Sequence, residues 1–299
     1  MFAKKNRYFG FDFWFDIVVT ILLVLICGVV LYPLYFTVIA SVSDPLAVTS
    51  GQVLLHPVGV NFKSYQVIFE DARIWSGYGN TIRYTFFGSL IGLALTVPAG
   101  YALSRKDLAG RRIIQKLMVF TMYFQGGLIP TYLVVQKLHL INTPYVLMLL
   151  GSFTVFNLII ARSFFETTIP LELQEAAEID GCNQLRFFVS IVLPLSKAIV
   201  AVVALYYVVG HWNSFFNALI YVSEEKFYPL QLILRDLLLS SQMLIADGMS
   251  DPDTIREMET IALSIKYGII IVASVPVLMI YPFLQKYFVK GVMIGSVKG

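Results

Sequence analysis

Histidine and cysteine are the side chains most often recruited for nucleophilic, metal-binding and proton-transfer chemistry. This 299-residue chain has three histidines (His56, His139, His211) and two cysteines (Cys27, Cys182). Their spacing supports none of those chemistries. There is no Cys-x-x-Cys pair, no His-Glu-x-x-His, no Walker phosphate loop and no Ser–His–Asp grouping that the pattern favours. His211 sits within a long apolar run, where a polar side chain is often functional. A proton relay also needs a carboxylate to pass the proton on, and the apolar runs carry none. No catalytic residue and no metal site are expected.

One segment does concentrate charge and helix-forming residues between apolar runs: "EAAEIDGCNQLRFFVSIVLP", Glu175–Pro194. Upstream, Pro170 is suited to a helix start and "LELQEAAEI" continues with strong helix formers. Gly181 permits a sharp change of direction, and Pro194 closes the second half before the next apolar run. The expected product is a compact helix–turn–helix that offers Glu175 and small alanines to a partner.

The elements that must position this segment are apolar. The composition is 58% hydrophobic and 14% charged, with a mean hydropathy of +0.75; soluble domains are about half apolar and a quarter charged. Six stretches lack Asp, Glu, Lys and Arg: 17–42, 84–103, 117–136, 141–161, 198–222 and 267–285. Each approaches or exceeds the roughly 20 residues that a helix needs to cross a bilayer core. The fold class expected is all-α, a polytopic membrane protein with six transmembrane helices at about these positions, and residues 1–299 form a single transmembrane domain. A long cytoplasmic loop spans 166–195, and two external segments span 43–82 and 223–266. The first run is too long for a signal-peptide core of roughly 7–15 residues and is expected to be retained.

Basic residues stay on the cytoplasmic side of membrane proteins. With the N-terminus inside, the inner segments hold Lys4, Lys5, Arg7, Arg105, Lys106, Arg111, Arg112, Lys116, Arg162, Arg186, Lys197, Lys286, Lys290 and Lys298, most of the 22 basic residues. Both termini are therefore expected in the cytoplasm. The net charge of +3 reflects topology, and no nucleic-acid partner is implied. Cys27 and Cys182 fall in a membrane helix and a cytoplasmic loop, so no disulfide between them is expected. The leucines of "YPLQLILRDLLLSSQML" predict an amphipathic helix lying on the outer membrane surface or against a partner. Gly88 and Gly92, four apart in "FFGSLIGLALTVPAG", predict close helix packing within the chain.

The Glu175–Pro194 segment reads Glu-Ala-Ala, three residues, Gly, nine residues, Ile-x-Leu-Pro. This spacing closely resembles the "EAA" loop of bacterial ABC importer permeases, and it precedes the penultimate apolar run as it does in that family. The resemblance covers essentially the whole chain. Length, topology and the tail "YPFLQKYFVKGVMIGSVKG" look like the maltose-type carbohydrate uptake branch, with a type I importer fold. "QGGLIPTYLVVQKLHLINT" is similar to a subgroup that includes lipoprotein-linked and alginate-oligosaccharide permeases.

The resemblance implies a non-catalytic transport subunit in the bacterial cell membrane, forming half of a pathway for a sugar or oligosaccharide. Its partners would be a second homologous permease subunit, an ATPase homodimer at the cytoplasmic face, an extracytoplasmic solute-binding protein and the lipid bilayer. No cofactor would sit on this chain; ATP and Mg would sit on the partner ATPase. The ATPase-coupling residues by that resemblance are Glu175, Ala176, Ala177, Asp180, Gly181, Ile191, Leu193 and Pro194. A sugar pathway combines aromatic faces with amides and hydroxyls, which nominates Tyr123, Gln125, Tyr132, Asn157, Trp212, Asn213 and Asn217. The alternative is an importer permease for another solute, such as a peptide or amino acid.

Overall fold

Leu, Val and Ile dominate residues 17–31, and the whole of Phe11–Ser41 forms one 31-residue helix, α1. At 1.5 Å per residue that is about 46 Å, longer than the roughly 30 Å hydrocarbon core. The computed structural model describes residues 11–246, 262, 265–279 and 282. It is helical throughout, with no strand among the described residues. The chain divides into two compact units, Met1–Glu70 with Leu238–Val272 and Asp71–Leu237 with Ala273–Gly299.

In the first unit, α1 is exposed along most of its length and becomes buried at Ile39–Ser41. That end is tied to the chain that follows. Short helices α2 (Pro45–Thr49) and α3 (Lys63–Glu70) lie there, and Asp44 caps α2 by accepting the Leu46 N–H at 3.1 Å. Tyr65 donates to the Ser41 hydroxyl at 2.7 Å, Ser64 donates to the Ser41 carbonyl at 3.2 Å, and Tyr32 donates to the Leu54 carbonyl at 3.2 Å. Ile39, Ala47 and Val53 form the small core beneath these bonds.

The second unit is built on α4 (Ala72–Ser104), 33 residues capped by Asp71. It starts well before the 84–103 stretch because Arg73 and Arg83, which bound a charge-free window, are compatible with a helix. Its buried face is mostly small: Gly77, Thr81, Thr85, Gly88, Ser89, Gly92, Thr96 and Gly100 recur at three- to four-residue spacing. Such a stripe lets backbones approach closely. A Cβ at Gly88 would lie 2.4 Å from the His211 ring, at Gly92 2.7 Å from the Ser152 carbonyl, and at Gly100 2.9 Å from Ala161. The Gly88–Gly92 pair thus serves packing within the chain, as its spacing predicts.

Around α4 lie α5 (Arg111–Tyr123), α6 (Leu128–Lys137), α7 (Pro144–Leu149), α8 (Val155–Thr168), α9 (Leu171–Ile179), α10 (Gln184–Phe187), α11 (Leu193–Leu195), α12 (Lys197–Trp212) and α13 (Phe216–Tyr221). Then follow α14 (Leu230–Ala246) and α15 (Ile265–Met279). Among the described residues, two helices are long and apolar enough to span a membrane unbroken, within α1 and at Ala72–Ser104. Counting each bent pair as one span gives up to four.

Three expected single helices are broken. The 117–136 run becomes α5 and α6, bent by 113°, where Gly127 adopts φ 85°. The 141–161 run divides into α7 and α8 around Gly151, at φ 87°, and Thr154 restarts the helix by accepting the Asn157 N–H at 3.4 Å. The 198–222 run stops at Trp212, where the Asn213 side chain donates back to the Val209 carbonyl at 2.9 Å, a local bond that competes with helix continuation. The expected 267–285 helix is described to Met279 and again at residue 282; the rest of it, residues 247–261, 263 and 264 of the outer segment and the C-terminal tail lie outside the described residues.

The leucine-rich α14 does not behave as a surface helix over its first turns. Leu230, Leu232, Ile233 and Leu234 are all 2% exposed or less. The Leu230 N–H donates to the Thr81 hydroxyl at 2.8 Å, and Gly77 makes room for Leu230 and Ile233.

Candidate functional site

The Glu175–Pro194 segment folds as two helical arms about a glycine. The first arm, α9, ends at Asp180; the Gly181 N–H then bonds the Glu178 carbonyl at 3.0 Å and the Cys182 N–H bonds the Ala177 carbonyl at 2.9 Å. That pair of bonds is a Schellman closure, whose C′ residue must be left-handed, and Gly181 has φ 75°. Asn183 starts the second arm by accepting the Arg186 N–H at 2.8 Å. A five-residue π-helical turn, Phe188–Val192, separates α10 from α11. Pro194 lies in α11 and cannot donate an N–H; the Leu193 N–H reaches back five residues to Phe188. The chain then turns by 81° into α12.

One side of both arms is anchored. Ala177, Phe187 and Val192 are buried in a cluster with Val97, Tyr101, Ala161, Phe165, Ile199, Val203 and Tyr207, and Ile191 and Leu193 pack against it. Tyr101 stacks at a tilt on Phe188 (5.2 Å) and edge-on to Phe165 (5.8 Å). Glu178 ties the arms together, accepting from Gln174 at 2.6 Å and Gln184 at 2.9 Å.

The other side is free. Glu175, Ala176, Asp180, Gly181 and Pro194 are exposed, and so are the large apolar residues Ile179 (86%) and Leu185 (73%). Of the eight residues singled out from the sequence, five therefore face outward and three, Ala177, Ile191 and Leu193, hold the segment to its base. Exposed apolar residues beside polar groups mark surfaces that interact with protein, membrane or ligand.

The pathway candidates do not assemble into one cluster. Tyr123, Gln125 and Asn213 are exposed, Tyr132 and Asn217 are half-buried, and Asn157 and Trp212 are buried. Tyr132 stacks on Tyr221 at 5.9 Å, and the Trp212 indole N–H donates to the Ala273 carbonyl at 3.0 Å. Among the described residues, no hydrogen bond or ring contact joins any two of the seven.

Sequence reasoning missed two groups. Asn142, at φ 58°, donates to Glu224 at 2.8 Å and accepts the Ser223 and Glu224 N–H groups at 3.0 and 3.1 Å, which pins the loop before α7 to the end of α13. Glu166 joins Arg111 at 2.7 Å and Arg162 at 2.6 Å. The i,i+4 spacing of Arg162 and Glu166 on one helix was a visible signal; a partner 55 positions away was not. On the same loop, the Arg105 guanidinium, bonded to Asp107 at 3.1 Å, holds that carboxyl below its ordinary value.

Comparison with known proteins follows this geometry. Residues 74–294 match the family described as "Binding-protein-dependent transport system inner membrane component". The chain is 36% identical over 272 residues to protein LplC of Bacillus subtilis (strain 168), covering 91% of this chain and 90% of that one. It is also 36% identical over 299 residues to the polygalacturonan/rhamnogalacturonan transport system permease protein YtcP of the same organism, covering 99% and 100%. A solved structure, of a bacterial ABC transporter involved in the import of the acidic polysaccharide alginate, matches with TM-score 0.78 at 33% identity, over 93% of this chain and 97% of that one. The chain belongs to the family of binding-protein-dependent transport system inner membrane components, the integral permeases of ABC transporters in the bacterial cell membrane.

Proposed function

We propose that this chain is one half of the membrane pathway of an ATP-driven importer for a sugar or oligosaccharide that an extracytoplasmic binding protein delivers. A second homologous permease completes the pathway. An ATPase homodimer binds at the cytoplasmic face and carries the ATP and Mg, so the chain itself performs no covalent chemistry. The full topology is six spans within one domain with both termini cytoplasmic, the breaks in α5–α6, α7–α8 and α12–α13 lying within spans. Broken helices line transport sites in many carriers.

The observation that carries this reading is the two-faced Glu175–Pro194 segment. Its outward face, with Glu175, Ala176, Asp180 and Gly181, is where the ATPase docks. Its inward face, through Ala177, Phe187 and Val192, passes the closure of the ATPase pair to α4, α8 and α12 as a rigid displacement. Oligosaccharides are favoured as solute because relatives along most of the chain carry such names: besides YtcP, the galactooligosaccharides permease GanQ of Bacillus subtilis is 28% identical over 308 residues. Tyr123, Gln125, Tyr132, Asn157, Trp212, Asn213 and Asn217 remain the pathway set, with the Tyr132–Tyr221 stack its best-formed aromatic face.

The test is a mild-detergent pull-down of the tagged chain from its native host, beside Glu175→Ala and Gly181→Pro. Proline cannot reach the left-handed φ of Gly181. The wild type should bring down a second permease and an ATPase, and the variants should lose the ATPase. Recovery of the ATPase with both variants would overturn the docking role. The complex is then screened for ATP hydrolysis stimulated by galacturonan, alginate and neutral oligosaccharides with the binding protein.

A further inference from the structure

Phe165 and Glu166 are successive residues near the end of α8, and they engage different neighbours. Phe165, 1% exposed, lies in the cluster that holds Ala177 and Phe187 of the coupling segment. The Glu166 carboxylate is divided between two helices: Oε1 lies 2.7 Å from Nη2 of Arg111, the first residue of α5, and Oε2 lies 2.6 Å from Nη2 of Arg162, one turn back on α8. Arg162 fixes the direction of the carboxylate, and Arg111 takes its free edge. The three side chains are 16–31% exposed, which screens them less than ordinary surface pairs.

Rivals for this arrangement are engaged elsewhere or missing. Asp107, the nearest carboxylate in sequence to Arg111, is held by Arg105. The buried Nε atoms of Arg111 and Arg162 find no acceptor among the described residues. The other hydrogen bonds of α5 to neighbouring elements run to the end of α4, from Arg111 to the Ser104 carbonyl (3.3 Å) and from Gln115 to the Leu103 carbonyl (2.9 Å), while its backbone packs against α8.

We propose that Glu166 is a positioning residue that makes α5 move with the coupling segment. The inference rests on the reading that Glu175–Pro194 receives the ATP-driven push. That push reaches the end of α8 through the Phe165–Ala177–Phe187 contacts, and the adjacent carboxylate relays it to α5. Without the clamp α5 keeps its backbone packing on α8 and its two hydrogen bonds to the end of α4, and follows the push less. The consequence is directional: α5 leads into α6, which carries Tyr132, so the clamp links ATP turnover to a part of the pathway that α12 does not hold.

The test is hydrogen exchange of the complex purified from its native host, with and without trapping by MgATP and orthovanadate. In the wild type, trapping should change exchange both at 175–194 and at the α5 amides, 112–123. In Glu166→Gln and Arg111→Gln the response at 175–194 should persist while that at α5 shrinks by at least about fivefold, the lower end of typical coupling between sites. Exchanging the charges, Arg111→Glu with Glu166→Arg, should restore it. A merely structural strut would loosen α5 equally in both states and leave the difference intact; that result, or full transmission in both single variants, overturns the proposal. Glu166→Asp, with its shorter reach, takes the place of Glu166→Gln if the latter does not assemble. A wild type that shows no response at 175–194 would instead sink the coupling reading itself.

Discussion

α1 and α4 are helices of nearly equal length, 31 and 33 residues, and they meet their surroundings in opposite ways. Along α1, large aliphatic side chains point outward on every side and burial begins only at Ile39. Along α4, small residues form a continuous buried stripe, and neighbouring helices press against its backbone. A helix that is apolar all round is made for lipid, whereas one with a small-residue stripe is made for protein. α1 is also the more hydrophobic of the two, but that alone does not say which face of α4 is buried. The size of the residue at every third or fourth position does.

Substitutions sharpen this contrast in order of expected effect. Gly88→Leu drives a side chain into the His211 ring, whose nearest atom would be 2.4 Å from the new Cβ. A loss of about 3 kcal/mol, or failure to assemble, is expected from thermal unfolding in detergent. Thr81→Val keeps the shape but removes the acceptor of the buried Leu230 N–H, at a cost of about 2 kcal/mol. Tyr207→Phe deletes the hydroxyl that sits 2.6 Å from Thr96 and accepts the Thr154 N–H at 3.3 Å. About 1 kcal/mol should be lost.

Asp71 supplies a smaller and pH-dependent effect. It caps α4 through the Arg73 N–H (2.9 Å) and binds the Arg73 guanidinium (2.7 Å). The side-chain bond to Arg73 leads the causes that lower its pKa from the ordinary 3.8. The folded value lies below the unfolded one, so this stabilisation is complete above pH about 3.8 and disappears as the pH falls through the folded value. Unfolding midpoints followed from pH 5 downward should fall more for the wild type than for Asp71→Asn. Smallest of all in terms of lost stability, Gly28→Leu in α1 meets nothing within 4 Å and should cause no loss, since it replaces a helix-interior glycine that is itself unfavourable by about 1 kcal/mol. A large loss there would mean that α1 packs as tightly as α4 does.

What was legible in the sequence follows the same distinction. The charge-free runs announced membrane helices, and Gly181 and the Gly88–Gly92 pair sit where their residue types and spacing placed them; the longer small stripe of α4 was not read from the sequence. The breaks were not legible, because a run of apolar letters looks alike whether Gly127 and Gly151 adopt right- or left-handed backbone. Arg73 and Arg83 hid the true start of α4, since a charge-free criterion cannot see a helix that tolerates two arginines. The leucines of α14 looked like a membrane-surface face because the receiving groove at Gly77 and Thr81 lies about 150 positions earlier. Glu166 was only half legible for the same reason: its i,i+4 pairing with Arg162 shows in the sequence, but Arg111 is remote in the chain. The pathway residues were grouped by helix, and helix membership does not tell the outward Tyr123 from the buried Trp212.

The smooth face of α4 also bears on motion. Hydrogens, methyls and short hydroxyls have few rotamers to reset on the α4 side, but the His211 and Tyr207 rings of α12 sit against Gly88 and Gly92, so α12 is keyed to α4 at two notches. Thr85 and Ser89 present hydroxyls that bond nothing among the described residues. The Tyr207 hydroxyl, by contrast, is held between Thr96 and Thr154. The seam between α4 and α12 is therefore keyed at Gly88, Gly92 and Thr96, and any displacement of α12 along α4 must lift those two rings and break the Thr96–Tyr207 bond.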